Sequence, residues 1–172
     1  MTIHDSAERE QTLDRVYEVA FNLEGTYGCC PQCVLAALQD VLSVGSDELV
    51  MAAHPLTGGA GLSLQGTCGA LNGAILAVGW RYGRDRAHFG SDEFGGSFAL
   101  GKRVFDAFVE TFGSPTCRDV QTKLMGRSYD FWDPQEFEAF LADGGHDDKC
   151  THVVGTAARI AAEALLDAEA EG

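Results

Sequence analysis

Positive charge is scarce in this chain. Lys and Arg number 12 against 26 Asp and Glu, so the formal charge is 12 − 26 = −14 with His neutral. Such a surface repels phosphate backbones and anionic lipid, which excludes nucleic acid and membranes as expected partners; a solubility role explains the acidity equally well. Long apolar runs are also missing. The most apolar stretch, LNGAILAVGW (71–80), is far too short to cross a bilayer. The opening MTIHDSAEREQ has neither the basic segment nor the apolar segment of a secretory signal, so a reducing, cytoplasmic setting is expected. No alternating apolar–polar run is long enough for a strand, and no repeat or linker divides the 172 residues. That length suits one domain with one sizeable core, and 45% apolar with 22% charged residues is a globular composition.

What is there reads as helices separated by short breaks. Leu13, Val16, Tyr17, Ala20, Phe21 and Leu23 follow a 3.6 period in AEREQTLDRVYEVAFNLEG, with Gly25 as the expected stop. A second helix starts near Pro31 and runs to Gly45, and Ser46 or Asp47 caps a short third one. HPLTGGAGLSLQG is too rich in glycine for a helix and reads as a loop that folds over a neighbouring site. Thr67 is the expected cap of TCGALNGAILAVGWRYG. RDRAHFGSDEFGG is a polar connection, and SFALGKRVFDAFVETFG stops at Gly113. Ser114 with Pro115, and Asp133 with Pro134, each cap and open a short helix. CTHVVGTAARIAAEALLDAEA closes the chain. The expected fold is one all-α, multi-helix domain over residues 1–172, with helix N-termini converging on a cysteine site.

All 6 cysteines fall at or near these helix starts: Cys29, Cys30 and Cys33, then Cys68, Cys117 and Cys150. Free N–H groups and the helix dipole favour a thiolate there, and thiolates bind soft metals or attack disulfides. In a reducing compartment, metal ligands or working thiols are more natural than structural bridges. The absences narrow the choice. Cys30 and Cys33 form a CxxC, but a zinc ribbon needs a second one. A thioredoxin-like motif needs a strand in front, and FNLEGTYG is a poor strand. No CxxCH marks a haem, and no Gly-Lys-Ser/Thr turns the glycine loop into a P-loop. Gly69 and Gly73 lie four apart on one helix face beside Ala70, Ala74 and Ala77. Glycine inside a helix costs up to ~1 kcal/mol, so close approach of a helix or a cofactor is expected there, with plain packing the equal reading for Gly73 and Gly79.

The pattern resembles the C-GCAxxG-C-C family of redox-active proteins. The matching segments are CCPQCVL (29–35), GTCGALNGAILAVG (66–79), GSPTCRDV (113–120) and DKCTHVV (148–154), with RYGR (81–84) and DPQ (133–135) as further likenesses over residues 10–167. The resemblance implies Cys30, Cys68, Cys117 and Cys150 as the family's cysteines. Cys29 stands where the family usually has Asn, and Cys33 where it has a small residue; these two extra thiols are the candidate catalytic pair. A related domain of split-Soret cytochromes implies an iron–sulfur cluster on the four. Four thiolates suffice for [2Fe–2S] or [4Fe–4S], and the comparison favours two irons.

Other residues are weighed beside these. His54 and His152 are weaker candidates for a metal shell, and surface roles suit both better; His4, His88 and His146 have none assigned. Gln32 either faces the cluster or bonds to backbone. Arg118 either favours the Cys117 thiolate or pairs with a carboxylate. The aromatic run YDFWDPQEF (129–137) is expected in the core or, second, in a subunit contact, which with the glycine strip leaves a homodimer open. Three functions compete: an iron–sulfur electron carrier with a redox partner protein, a metal-free thiol–disulfide oxidoreductase using Cys30 and Cys33, and a helical binding module stabilised by zinc. A small-molecule substrate stays open.

Overall fold

Apolar residues at helical spacing decide the architecture. A computed structural model describes residues 6–90 and 95–171. His4 and residues 91–94 of the polar connection lie outside the described residues. Within them there are eight α-helices and no strand; a single isolated antiparallel bridge joins Thr67 to Thr116. The helices are α1 (Ser6–Tyr27), α2 (Cys30–Leu42), α3 (Asp47–Ala53), α4 (Gly69–Tyr82), α5 (Gly95–Phe112), α6 (Cys117–Met125), α7 (Pro134–Ala142) and α8 (Cys150–Glu171). None of them is long and apolar enough to cross a membrane.

α8 is the central element, packed against α1, α2, α4 and α5. Its buried face is mostly small: Gly155, Ala157, Ala158, Ala161, Ala162 and Ala164, with Val153, Val154 and Leu165 between them. Small residues let neighbouring helices approach. A Cβ on Gly155 would lie 2.8 Å from the Tyr17 ring, so α1 and α8 meet there almost backbone to side chain. Leu13, Val16 and Ala20 line the same contact from α1. Each fully buried Leu or Val contributes about 1.5–3 kcal/mol. The ion pairs along the rim, Arg159 with Asp14 at 2.6 Å and Arg9 with Asp167 at 2.5 Å, are partly exposed and add little.

Local signals set most helix ends. Ser46 caps α3, its Oγ accepting from Leu49 N at 3.3 Å, and Asp133 caps α7 by accepting from Gln135 N and Glu136 N. Four ends differ from the sequence expectation. α1 runs through Gly25 to Tyr27, because Gly25 serves close approach: its Cβ would meet the His146 carbonyl oxygen at 3.4 Å. α2 ends at Leu42, three residues before Gly45, with Ser43 in a left-handed cap. Cys68 and Thr116, rather than Thr67 and Ser114, are the residues flanking α4 and α6.

Candidate functional site

The turn between α1 and α2 contains only two residues, both left-handed: Gly28 at φ 67° and Cys29 at φ 66°. For a non-glycine residue this conformation is costly, by roughly 1–2 kcal/mol. It reverses the chain abruptly, so that α2 opens with Cys30 and has Pro31 in its first turn. A Cβ on Gly28 would approach His146 Cε1 to 3.1 Å, so the turn sits against the segment before α8. Cys33, one helical turn on, is buried and donates its thiol hydrogen to the Gly28 carbonyl oxygen at 2.8 Å.

The glycine-rich loop forms a second wall. Gly58, Gly59, Ala60, Gly61 and Leu62 all have φ between 55° and 72°, one turn of left-handed coil. Leu62 N donates to Thr57 O, Leu64 N to Gly58 O and Gly66 N to Gly59 O, while Trp132 Nε1 holds the tip through Gly61 O at 3.1 Å. The chain then runs antiparallel to the segment before α6. Cys68 N donates to Pro115 O at 2.7 Å, Cys117 N to Gly66 O at 3.1 Å and Arg118 N to Leu64 O at 3.1 Å. This clip brings the Cys68 and Cys117 helix starts together.

Between these walls lies a cavity of about 390 Å³. Cys30, Cys68, Cys117 and Cys150 all line it, as does Cys29. Cys33 does not; with Cys29 it borders a separate groove of about 180 Å³ beside Gln32 and Val50. All six are free thiols. Gln32 bonds to backbone, through Nε2 to Val50 O at 3.0 Å. His152 meets the Tyr17 hydroxyl at 2.9 Å on the outside of the bundle, and His54 sits in an exposed 3-10 turn; neither borders the cavity. Arg118 reaches the site through its backbone alone. The aromatic run divides: Tyr129 is core, Trp132 is exposed, and Phe131 and Phe137 join Phe140 as an apolar cavity wall.

Burial outweighs the helix termini in setting the thiols. The N–H groups of Ala70 and Leu71 do favour a Cys68 thiolate, yet burial pushes that thiol up to about 11. Cys30 is raised well above its ordinary value, first by burial and then by Glu24, Cys68 and Cys117, against one Gly58 N–H. Cys33, Cys117 and Cys150 are raised chiefly by burial too. Cys30, Cys33, Cys68, Cys117 and Cys150 are therefore thiols in the metal-free protein. A bound cation reverses that balance, since a coordinating thiol loses its proton outright.

Two cavity residues had no role in the sequence reading. Glu24 continues the Leu13–Val16–Ala20 stripe of α1 inward, a carboxylate at an apolar position, and that spacing was its one available signal. His146 comes from a π-helical turn, Gly145–Lys149, and packs edge-on against Phe140; its polar surroundings in sequence gave no hint. The donor set fits a soft-metal group. Backbone is pared away around the sulfurs: a Cβ on Gly69 would lie 2.4 Å from Cys30 Sγ, and one on Gly59 would lie 3.0 Å from Cys117 Cβ. Among the described residues no three His, Cys, Asp or Glu side chains are close enough to clasp one metal ion; the sulfurs line a space instead.

A family model described as "Putative redox-active protein (C_GCAxxG_C_C)" matches residues 28–164. The span begins at the Gly28–Cys29 turn, so it leaves out all of α1, which the sequence resemblance had included from residue 10. No curated protein and no solved structure matches the chain.

Proposed function

As this chain belongs to the C_GCAxxG_C_C family, we propose that it is an electron-transfer protein holding an iron–sulfur cluster, of [2Fe–2S] type, on Cys30, Cys68, Cys117 and Cys150. The observation that carries this is the shared cavity: four cysteines from four remote segments border one space of about 390 Å³. Four thiolates around one space suffice for a polynuclear iron–sulfur group. The metal-free disulfide reading has less support, because Cys30 and Cys33 border different spaces and both thiols are raised by burial.

When bound, the cluster supplies one-electron chemistry. The chain's own groups do the rest. Gly58 N–H faces the Cys30 sulfur, and the Ala70 and Leu71 N–H groups face the Cys68 sulfur, so thiolate charge is met by fixed dipoles. Phe131, Phe137, Phe140, Val153 and Val154 keep water from the sulfurs. Cys29 and Cys33, which share the smaller groove, act as an accessory thiol pair, and a redox partner protein delivers or accepts the electron.

Loading of the anaerobic full-length protein with ferrous iron and sulfide tests the proposal. About two irons and two acid-labile sulfides per chain are expected, with visible absorbance that bleaches on reduction and is lost in Cys68→Ser. A colourless wild-type chain without bound iron overturns it; stoichiometric zinc in protein purified without oxygen establishes the structural-zinc alternative.

A further inference from the structure

One oxygen of the buried Glu24 carboxyl has no partner. The residue is 2% exposed, and that oxygen is Oε2. Oε1 lies 3.8 Å from His146 Nε2, beyond hydrogen-bond length. The neighbouring Cys33 thiol donates to the Gly28 carbonyl at 2.8 Å and also touches the Glu24 carboxyl, leaving Oε2 without a partner. Both Glu24 and His146 border the sulfur cavity. A carboxylate oxygen kept from water with no donor is unfavourable in an otherwise well-packed core, and such groups call for a ligand.

We propose that Glu24 is an additional metal donor, an oxygen ligand set beside the four sulfurs, with His146 flanking the carboxylate. The inference rests on the metal-binding part of the proposed function but not on the identity of the metal. Carboxylate oxygen is a hard donor and thiolate sulfur a soft one, so one metal in the cavity carries a mixed shell. A divalent cation also removes the isolation of Oε2, which no side chain in the cavity does.

Co²⁺ alone, added without oxygen to the metal-free full-length chain, is the probe. Its charge-transfer absorbance reports thiolates, and its d–d bands shift when oxygen leaves the shell. Glu24→Gln should weaken Co²⁺ binding by roughly 10–100-fold and move the d–d bands while the thiolate absorbance persists; Glu24→Asp should recover part of the affinity. A melting comparison supplies the second arm. Without metal, Glu24→Leu should melt no lower than wild type, since it removes an unpaired buried oxygen. With Co²⁺ bound it should melt below wild type. Co²⁺ affinity in Glu24→Gln within twofold of wild type and an unchanged spectrum overturn the assignment, as does a metal-free Glu24→Leu that melts well below wild type. Co²⁺ binding that depends on Glu24 in a chain that takes up no iron and sulfide leaves the inference standing and the iron–sulfur reading fallen. A wild-type chain that binds no Co²⁺ overturns the inference.

Discussion

At Gly69 the packing admits a hydrogen atom and nothing larger. A methyl group there would lie 2.4 Å from Cys30 Sγ and 2.8 Å from Pro31 Cδ, so one of them must move. Gly69→Ala should cost about 1–3 kcal/mol by thermal or denaturant unfolding and should raise the accessibility of Cys30 to a thiol reagent. Glu24 makes a pH-dependent prediction for the metal-free protein. Burial raises its carboxyl from the usual 4.5 to about 7, the Cys33 contact acting weakly the other way. Below 4.5 the carboxyl is protonated both folded and unfolded, and no penalty exists. Between 4.5 and 7 the unfolded chain releases its proton while the folded chain holds it, so folding loses stability as pH rises; above 7 the full cost stands at about 3 kcal/mol. Melting of metal-free wild type against Glu24→Gln from pH 4 to 8 should therefore show wild type falling behind as pH rises, then a constant gap. Parallel profiles across that range would contradict the buried, unpaired state of the carboxyl.

At the scale of a helix, α4 contains its own control. Gly73 faces α2 so closely that a Cβ would lie 2.6 Å from the Pro31 carbonyl oxygen, whereas a Cβ on Gly79 meets nothing within 4 Å. Gly79→Ala should stabilise the protein by about 0.5–1 kcal/mol through helix propensity, and Gly73→Ala should destabilise it, as measured by paired denaturant titrations. The Gly69–Gly73 approach was legible in the sequence because two glycines four apart in a helix demand a reason. Gly79 was not separable from them, since spacing cannot tell which glycine has a neighbour. The same division runs through the helix ends. Ser46, Pro31, Asp133 and Pro134 act locally and were legible. Thr67 and Ser114 look like caps, but the clip between residues 64–68 and 115–118 claims that backbone, and Ser114 Oγ turns instead to Thr116 N and Asp119. The cysteine positions were visible as a pattern; Glu24 and His146 were not, because their burial comes from how α1 meets the turn before α8.

For the molecule as a whole, the sulfur cavity couples metal uptake to the release of protons. Burial holds Cys30, Cys68, Cys117 and Cys150 protonated, so a cation entering the cavity displaces their protons and binds more tightly as pH rises. Stripping metal from the loaded protein with a chelator should lower its melting temperature by about 5–10 °C when the free metal had stood at a hundred times its dissociation constant. An unchanged melting curve would mean that the occupant binds folded and unfolded chains alike. The clip that joins Cys68 to Pro115 and Cys117 to Gly66 also has a use in time. Its amide protons, on Cys68, Cys117 and Arg118, are tied across the chain rather than along a helix. In deuterated water those three positions should exchange as one group, and their common rate is a clock for how often the sulfur wall swings open while the helices stay formed.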